Sequence, residues 1–195
     1  TWSYEDDDRG DLTRQAYYLP NGAIALLQEG YSAISYEYNQ DGLNITETFL
    51  DQQMQPVKIL DGYAIIRYTY YHNRVATRTY YDEAGLPVLC AKGYHRVAFR
   101  YNERGKVTRE SYMDTAGNPV YISAGYATVD RAFDEYDRVI QEVFYDAAGL
   151  PIKGSGGYAY AQKQYDDRGN LVLLTYRDQS GNPFILPSGY AQIQY

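Results

Sequence analysis

The dipeptide Gly-Tyr recurs along this chain at an almost constant spacing, and this recurrence constrains the fold more than any other feature. It stands at Gly30-Tyr31, Gly62-Tyr63, Gly93-Tyr94, Gly125-Tyr126, Gly157-Tyr158 and Gly189-Tyr190, with successive gaps of 32, 31, 32, 32 and 32 residues. A period this regular is the signature of a repeat protein, in which each repeat packs on its neighbours. It therefore predicts one continuous repeat domain, whatever domain count the length of 195 residues would give.

The repeats are bounded by the Gly-Tyr dipeptides. The predicted organisation is a partial repeat, five complete repeats and the start of a truncated one: residues 1–29, 30–61 (repeat 1), 62–92 (repeat 2), 93–124 (repeat 3), 125–156 (repeat 4), 157–188 (repeat 5) and 189–195. The last segment stops inside a predicted strand and carries no polar capping repeat. We therefore interpret the chain as part of a longer protein.

Each repeat contains two strand-length runs that are rich in aromatic and β-branched residues and bounded by Gly, Asn, Asp and Pro. In repeat 3 the runs are residues 94–101 and 107–113, and the short connection ends in Gly105, which suits a hairpin turn with one residue at positive φ. A second turn and a short extended segment then lead to the next Gly-Tyr. The predicted fold class is all-β: an elongated array of β-hairpins of about 32 residues each, solenoid-like or superhelical, with little or no α-helix.

Several positions are fixed by the repeat. The ninth residue is always aromatic, and the second turn always carries an aspartate and a proline: Tyr38, Tyr70, Tyr101, Phe133, Tyr165; Asp51, Asp82, Asp114, Asp146, Asp178; Pro56, Pro87, Pro119, Pro151, Pro183. The first strand alternates between apolar and polar residues, which predicts one dry and one wet face. The second strand alternates less cleanly, so its buried face stays unassigned.

Three turns depart from the glycine pattern. Repeat 2 replaces the first-turn glycine with residues 71–74 and is one residue short, repeat 4 has Asp137 there, and Met54 replaces the second-turn glycine of repeat 1. Asn and Asp tolerate the left-handed conformation better than other non-glycine residues. We therefore expect the first turns of repeats 2 and 4 to be kept and the second turn of repeat 1 to be the least regular.

Composition and charge restrict the classes of partner. The formal net charge is −7 and the pI about 4.8, which argue against nucleic acid and anionic membrane surfaces. The sequence has no apolar stretch of membrane-spanning length, so membrane insertion is not expected. Cys90 is the only cysteine, so no disulfide closes within the chain. We expect an extracellular or cell-surface location.

The residues that most often carry chemistry do not form a catalytic or metal-binding motif. His72 and His95 lie in different repeats, and neither they nor Cys90 have metal-ligand spacing. Most aspartates stand at turn starts, where they cap their own backbone, although weak calcium binding by such a turn remains an alternative. We therefore expect no catalytic residues, no metal, no cofactor and no enzymatic activity.

Tyrosine is the compositional outlier, with 25 residues. Rings at fixed repeat positions are explained by packing, but Tyr71, Tyr121, Tyr136 and Tyr160 lie outside those positions, as does Trp2. Exposed tyrosines beside Asp, Asn and Gln suit stacking on sugar rings, so these four are the predicted binding residues. The alternative is that they are ordinary surface tyrosines of a tyrosine-rich chain.

Two segments carry a resemblance to known repeats. Residues 165–171 (Tyr-Asp-Asp-Arg-Gly-Asn-Leu) and 145–149 (Tyr-Asp-Ala-Ala-Gly) resemble the YD repeats of bacterial RHS-type surface proteins. They are also similar to the tyrosine- and glycine-rich hairpin repeats of bacterial cell-wall-binding and glucan-binding proteins. The likeness extends over nearly the whole chain. It implies a bacterial, secreted or wall-attached, non-enzymatic array of β-hairpins, and it does not supply a ligand.

The resulting functional hypothesis is a non-catalytic repeat module of a bacterial surface or secreted protein that binds glycan or a cell-wall polymer through exposed tyrosines. A structural spacer and a protein-interaction scaffold are the alternatives. Glycan binding predicts off-pattern tyrosines grouped on one side of the array, and a spacer predicts scattered ones. A scaffold predicts an exposed apolar patch of roughly several hundred Å².

Overall fold

The computed structural model describes residues 2–194, and the regular secondary structure of this part of the chain consists of β-strands. Its thirteen strands follow the order of the sequence in an open antiparallel sheet. They are β1 (Trp2–Asp6), β2 (Leu12–Tyr17), β3 (Ala33–Tyr38), β4 (Asn44–Leu50), β5 (Ile65–Tyr71), β6 (Arg74–Tyr81), β7 (Arg96–Tyr101), β8 (Val107–Met113), β9 (Thr128–Phe133), β10 (Val139–Tyr145), β11 (Tyr160–Tyr165), β12 (Leu171–Arg177) and β13 (Gln192–Gln194). The all-β array of hairpins predicted from the sequence is confirmed.

The chain divides into two compact units, Thr1–Val97 and Ala98–Tyr195, called here the N-terminal and C-terminal units. In the described part of the chain, no helix is long and apolar enough to cross a membrane.

The turns are built by backbone hydrogen bonds and by glycine at positive φ. In the first turn of repeat 1, the Gly42 N–H donates to the Asn39 carbonyl (3.1 Å) and the Asn39 N–H donates to the Leu43 carbonyl (3.0 Å), with Gly42 at φ 76°. Asp137 (φ 64°) and Met54 (59°) take the left-handed position of the missing glycine, and the Met54 turn keeps the hydrogen bonds of the other second turns, so the expectation that it is the least regular is wrong. Repeat 2 instead has a tighter two-residue turn, with His72 (48°) and Asn73 (60°) both at positive φ between the paired residues Tyr71 and Arg74. The expectation that the first turns of repeats 2 and 4 survive is confirmed.

The recurring aspartates cap the second turns, as predicted. Asp114 Oδ1 accepts hydrogen bonds from the backbone N–H groups of Ala116 and Asn118, both at 2.9 Å. The bond from the Asn118 backbone N–H is the main reason why the pKa of Asp114 is held below its ordinary value. The turn aspartates thus stabilise the hairpin geometry on which the repeat depends.

A ladder of aromatic rings runs along one face of each unit, which we call the ring face. In the N-terminal unit, successive rings approach with centroids 4.5–6.1 Å apart, in the order Tyr17, Tyr31, Phe49, Tyr63, Tyr80, Tyr94. The C-terminal unit has its own ladder, at 4.5–6.1 Å, in the order Tyr112, Tyr126, Phe144, Tyr158, Tyr176. The Gly-Tyr rings of Tyr31, Tyr63, Tyr126 and Tyr158 each pack between the second-strand rings of consecutive hairpins, which explains the recurrence of the dipeptide.

The second strand alternates poorly because it contributes to both faces. Phe49 pairs with Ile34 on the ring face, whereas its neighbour Leu50 pairs with Ala33 on the opposite face. Phe49 and Leu50 are both buried, and Leu50 forms a small core with Ala16 and Ala33. Two adjacent buried residues erase the period of two in the sequence.

The ninth-position tyrosines connect neighbouring hairpins through their hydroxyl groups. The Tyr38 hydroxyl donates to the Leu12 carbonyl (2.8 Å), and the Tyr165 hydroxyl donates to the Val139 carbonyl (3.1 Å). Tyr70 makes the equivalent bond to the Asn44 carbonyl. Each of these hydroxyls reaches 26 residues back, so it ties one hairpin to the preceding one.

The ring face is not apolar throughout. In the C-terminal unit, Arg131 occupies the position that Tyr36 and Tyr68 hold in repeats 1 and 2. Its guanidinium pairs with Glu110 and with Glu142, the latter at 2.9 Å. At this first-strand position the ring face is therefore aromatic in repeats 1 to 3 and charged in repeat 4.

Candidate functional site

A groove of about 610 Å³ lies in the C-terminal unit. Its lining is mostly polar and comes from strands β10 to β13 and from the turn that precedes β10. The lining residues are Asp134, Arg138, Ile140, Gln141, Gln162, Lys163, Gln164, Tyr165, Leu173, Thr175, Arg177 and Gln192. The volume lies within the range of ordinary ligand sites, but this lining is far more polar than that of a typical small-molecule pocket.

Strand register places the floor of the groove on the face opposite the ring face. Gln141 pairs with Gln162, Gln162 with Thr175, and Thr175 with Gln192, so one row of these four residues crosses four adjacent strands. Since side chains two residues apart on a strand share a face, Gln164 lies on the same face as Gln162. The row presents side-chain amides and one hydroxyl side by side.

The glutamine side chains are available to a ligand. Among residues 2–194, Gln162 Oε1 accepts a hydrogen bond from Arg177 Nε at 3.1 Å, while the amides of Gln141, Gln164 and Gln192 make no hydrogen bond within the protein. Each amide offers both a donor and an acceptor. The groove can therefore bind a ligand that itself carries both, such as a vicinal pair of hydroxyls.

Tyr160 lies on the groove face, next to one end of the groove. It pairs with Val143 on one side and with Arg177 on the other. Arg177 lines the groove and is oriented by its bonds to Gln162 and to the Gly181 carbonyl, the latter at 3.0 Å. Tyr160 is partly buried rather than fully exposed, so its ring is held in place by these neighbours.

Arg138 connects Tyr136 to the groove at its other end. Its guanidinium carbon lies 4.9 Å from the Tyr136 ring centroid and 4.6 Å from that of Tyr165, so the cation contacts two aromatic rings. Arg138 Nε donates to Asp134 Oδ2 at 2.6 Å. Burial raises the pKa of Asp134, but the Arg138 and Tyr136 backbone N–H groups and the Arg138 guanidinium outweigh burial and hold this pKa below its ordinary value.

The other two predicted tyrosines lie away from this groove. Tyr71 is the last residue of β5 in the N-terminal unit; it is 71% exposed and its ring stacks on His72 with centroids 4.2 Å apart. Tyr121 is 46% exposed and lies between the second turn of repeat 3 and the turn that leads into the next Gly-Tyr dipeptide, which we call the third turn. Its position in the repeat is that of Leu26, Leu89 and Ile185, which are also exposed.

Cys90 and His95, two of the residues considered as metal ligands, are buried among packing contacts rather than in a cluster of ligands. Cys90 is buried, and His95 is buried with Nδ1 3.2 Å from the Val88 carbonyl and its ring edge-on to Tyr81. In the part of the chain that the structure describes, no group of three or more His, Cys, Asp or Glu residues is placed to hold a metal ion.

The glutamines of the groove were not among the predicted binding residues, all of which were tyrosines. The signal was present as a period of two, with Gln162 and Gln164 in one strand and Gln192 and Gln194 in another. Their juxtaposition with Gln141 depends on cross-strand register, which this alternation does not specify.

No protein-family model matches the sequence, and no curated protein matches it. Several solved structures are similar over nearly the whole chain. A crystal structure of TcdB2-TccC3-Cdc42 is 12% identical with a TM-score of 0.41, the match covering 98% of this chain and 9% of that one. A Photorhabdus luminescens Tc holotoxin pore with mutated TccC3 is 12% identical with a TM-score of 0.43, again covering 98% and 9%. For TcdB2-TccC3 without its hypervariable C-terminal region, identity is 11%, the TM-score 0.37 and the coverage 99% and 10%. The chain thus spans about a tenth of the length of the chains it matches.

Proposed function

We propose that this chain is a non-catalytic carbohydrate-binding repeat module, and that the polar groove of the C-terminal unit binds the glycan. The observation that carries the proposal is the row Gln141, Gln162, Thr175, Gln192 across four strands. Sugars present vicinal hydroxyls that both donate and accept hydrogen bonds, and side-chain amides complement them in both respects. A groove that follows the row across several strands suits a chain of sugars better than a single small ring.

The two ends of the groove support the same proposal. Arg138, held between Tyr136 and Tyr165, and Arg177, beside Tyr160, provide fixed donors, and aromatic rings lie next to both. An aromatic face can stack on the apolar face of a sugar while neighbouring donors bind its hydroxyls. Two of the four predicted tyrosines, Tyr136 and Tyr160, thereby adjoin the groove.

The proposal includes a surface or secreted location and no chemistry on the ligand. The floor of the groove consists of neutral amides and a hydroxyl, which are poor general acids and bases near neutral pH. Asp134, the carboxylate in the lining, is bound to Arg138, and its lowered pKa favours the ionised form.

A glycan array and a pull-down on insoluble cell-wall polysaccharide test this function. We expect the native chain to bind and Gln162→Ala to bind about tenfold or more weakly, since that substitution removes an amide that Arg177 holds in place by a hydrogen bond. Tyr136→Ala should reduce binding as well. Binding by the native chain that both variants retain in full would contradict the groove as the binding site, and no binding above background to any glycan would contradict the function itself.

Tyr71→Ala is the matched control for Tyr136→Ala. Both rings are 71% exposed and lie at first turns, but Tyr71 belongs to the N-terminal unit and has no part in the groove. We expect Tyr71→Ala to bind like the native chain. Equal losses in the two variants would instead indicate general adhesion through exposed tyrosines.

A second candidate function, a protein-interaction scaffold, is favoured by exposed leucines on one edge of the N-terminal unit. Leu26, Leu60 and Leu89 are 61%, 76% and 49% exposed. They lie in or beside third turns, and these turns are joined by hydrogen bonds such as Leu60 N–H to the Glu29 carbonyl (2.9 Å). Exposed apolar residues along one edge suit an apolar partner surface. If this function holds, Leu60→Asp abolishes capture of the partner and leaves glycan binding unchanged.

A further inference from the structure

A second concavity lies in the N-terminal unit and has a different chemistry from the groove. Its volume is about 130 Å³, which corresponds to roughly four waters at about 30 Å³ each. It is lined by Asp61, Tyr63, Arg78, Tyr80, Cys90, Ala91, Lys92 and Tyr94. The space is adequate for one small polyatomic group, and the lining combines two cations, three phenol rings and one carboxylate.

Both cations replace acidic or neutral residues at their positions in the repeat. Arg78 stands where repeats 1, 3 and 4 have Glu47, Glu110 and Glu142. Lys92 stands immediately before the Gly-Tyr dipeptide, where the two preceding repeats have Glu29 and Asp61. The charge is thus reversed at two positions in the same repeat, and both reversed side chains line the same pocket.

Arg78 has donor capacity that the protein leaves unused. Its Nε is buried and, within residues 2–194, has no hydrogen-bond partner. Neither Arg78 nor Lys92 forms an ion pair with a carboxylate of the described chain, although Arg131 in the C-terminal unit pairs with two. A buried donor without a hydrogen-bond partner destabilises the fold. The presence of such a donor at Arg78 Nε therefore favours a ligand that accepts a hydrogen bond from it.

The surroundings keep the Arg78 side chain charged. Burial lowers the pKa of Arg78, but the Tyr80 hydroxyl and the nearby phenols of Tyr68 and Tyr94 more than offset this, and the net pKa is raised. The guanidinium carbon also lies 5.7 Å from the Tyr68 ring centroid. The cation therefore lies beside the Tyr68 ring and the Tyr80 hydroxyl at the wall of the pocket.

We propose that this pocket is a binding site for a tetrahedral oxyanion, a phosphate or sulfate group, held by Arg78 and Lys92 with help from the phenol hydroxyls. Arg binds such groups through its planar set of donors and Lys through a point charge. Asp61 opposes the anion, because its carboxylate lines the same pocket. The oxyanion is either a free ion or an ester group on a larger ligand.

NMR titration of the native chain with inorganic phosphate and inorganic sulfate at constant ionic strength tests the proposal. We expect saturable shifts of the Arg78 Nε–H and Lys92 amide signals, with dissociation constants of about millimolar order. Shifts that grow linearly without saturating, or that spread over all surface lysines, would overturn it. A titration with methyl phosphate identifies the source: saturation assigns the site to an ester group as well as to the free ion, and its failure restricts the site to the free ion.

Four variants separate the site from general charge effects. Arg78→Gln and Lys92→Gln should each weaken binding about tenfold or more, equivalent to at least about 1.4 kcal/mol. The Lys92 side chain is exposed, so its variant reports on binding even if Arg78→Gln fails to fold. Asp61→Asn should tighten binding, and Lys58→Gln, an exposed lysine outside the pocket, should leave it unchanged. Equal effects of Lys58→Gln and Lys92→Gln would contradict the site.

Discussion

Truncation of Phe49 tests whether the aromatic ladder holds the hairpins together. Phe49 is 7% exposed, and its ring lies edge-on to Tyr31 (centroids 5.0 Å apart) and to Tyr63 (5.8 Å). Phe49→Ala should cost about 3–5 kcal/mol, as for other buried phenylalanines, because it leaves a cavity between consecutive hairpins. Phe49→Leu fills most of that cavity but loses both ring contacts, which at about 0.5–1.5 kcal/mol each gives a cost of roughly 1–3 kcal/mol.

Native-state hydrogen exchange is the appropriate assay, because a repeat array opens locally and need not unfold in a single transition. The Phe49 N–H donates to the Ala64 carbonyl and the Val57 N–H donates to the Phe49 carbonyl, both at 2.9 Å. These two amides should lose protection by the full cost of each substitution. Protection in repeats that do not contact Phe49 should change less.

Tyr71→Ala serves as the stability control. Tyr71 is 71% exposed and lies outside the ladder, so its removal should change stability by no more than about 0.5 kcal/mol. If Phe49→Leu proves as harmless as Tyr71→Ala, ring contacts do not hold neighbouring hairpins together. A uniform loss of protection along the chain would refute the quasi-one-dimensional coupling.

Two further outcomes follow from the backbone and from the tyrosines. Gly149→Ala should cost about 1–2 kcal/mol for the left-handed φ of 83° alone, because an added Cβ meets nothing within 4 Å. Gly157→Ala should cost more stability than Gly149→Ala, since its Cβ would lie 2.9 Å from the Phe184 ring. A denaturant titration of both variants measures the two costs. Burial is the largest cause that raises the pKa of Tyr31 and of Tyr36 to about 12. Because this exceeds the unfolded value of about 10, their contribution to stability is complete below about pH 10 and is lost as the pH rises towards 12. In a pH titration followed by tyrosine absorbance, we expect both phenols to be still protonated at about pH 11 in the folded chain, and the chain to unfold as the pH rises further. Ionisation of either phenol at about pH 10 in the folded chain would contradict this reasoning.

Much of the array could be predicted from the sequence, because its determinants are local. Glycine at Gly42 and Gly105, capping aspartates such as Asp114, and the alternation of strand β3 each act within a few residues along the chain. The turns without glycine were predictable for the same reason, since Asn73 and Asp137 tolerate the left-handed conformation. Repetition then shows which rings belong to the architecture.

The candidate sites depend instead on contacts between hairpins, which a local pattern does not contain. Gln141 and Gln162 become neighbours only when strand register is set, and Arg78 and Lys92 meet at one pocket only after repeat 2 is folded. The two faces of the second strand, with Phe49 on one and Leu50 on the other, were likewise settled by packing. The sequence by itself determined that the chain is an array of β-hairpins, because turn and strand preferences are local. Only the tertiary structure decided which side chains share a surface, because one residue of register moves every side chain to the opposite face.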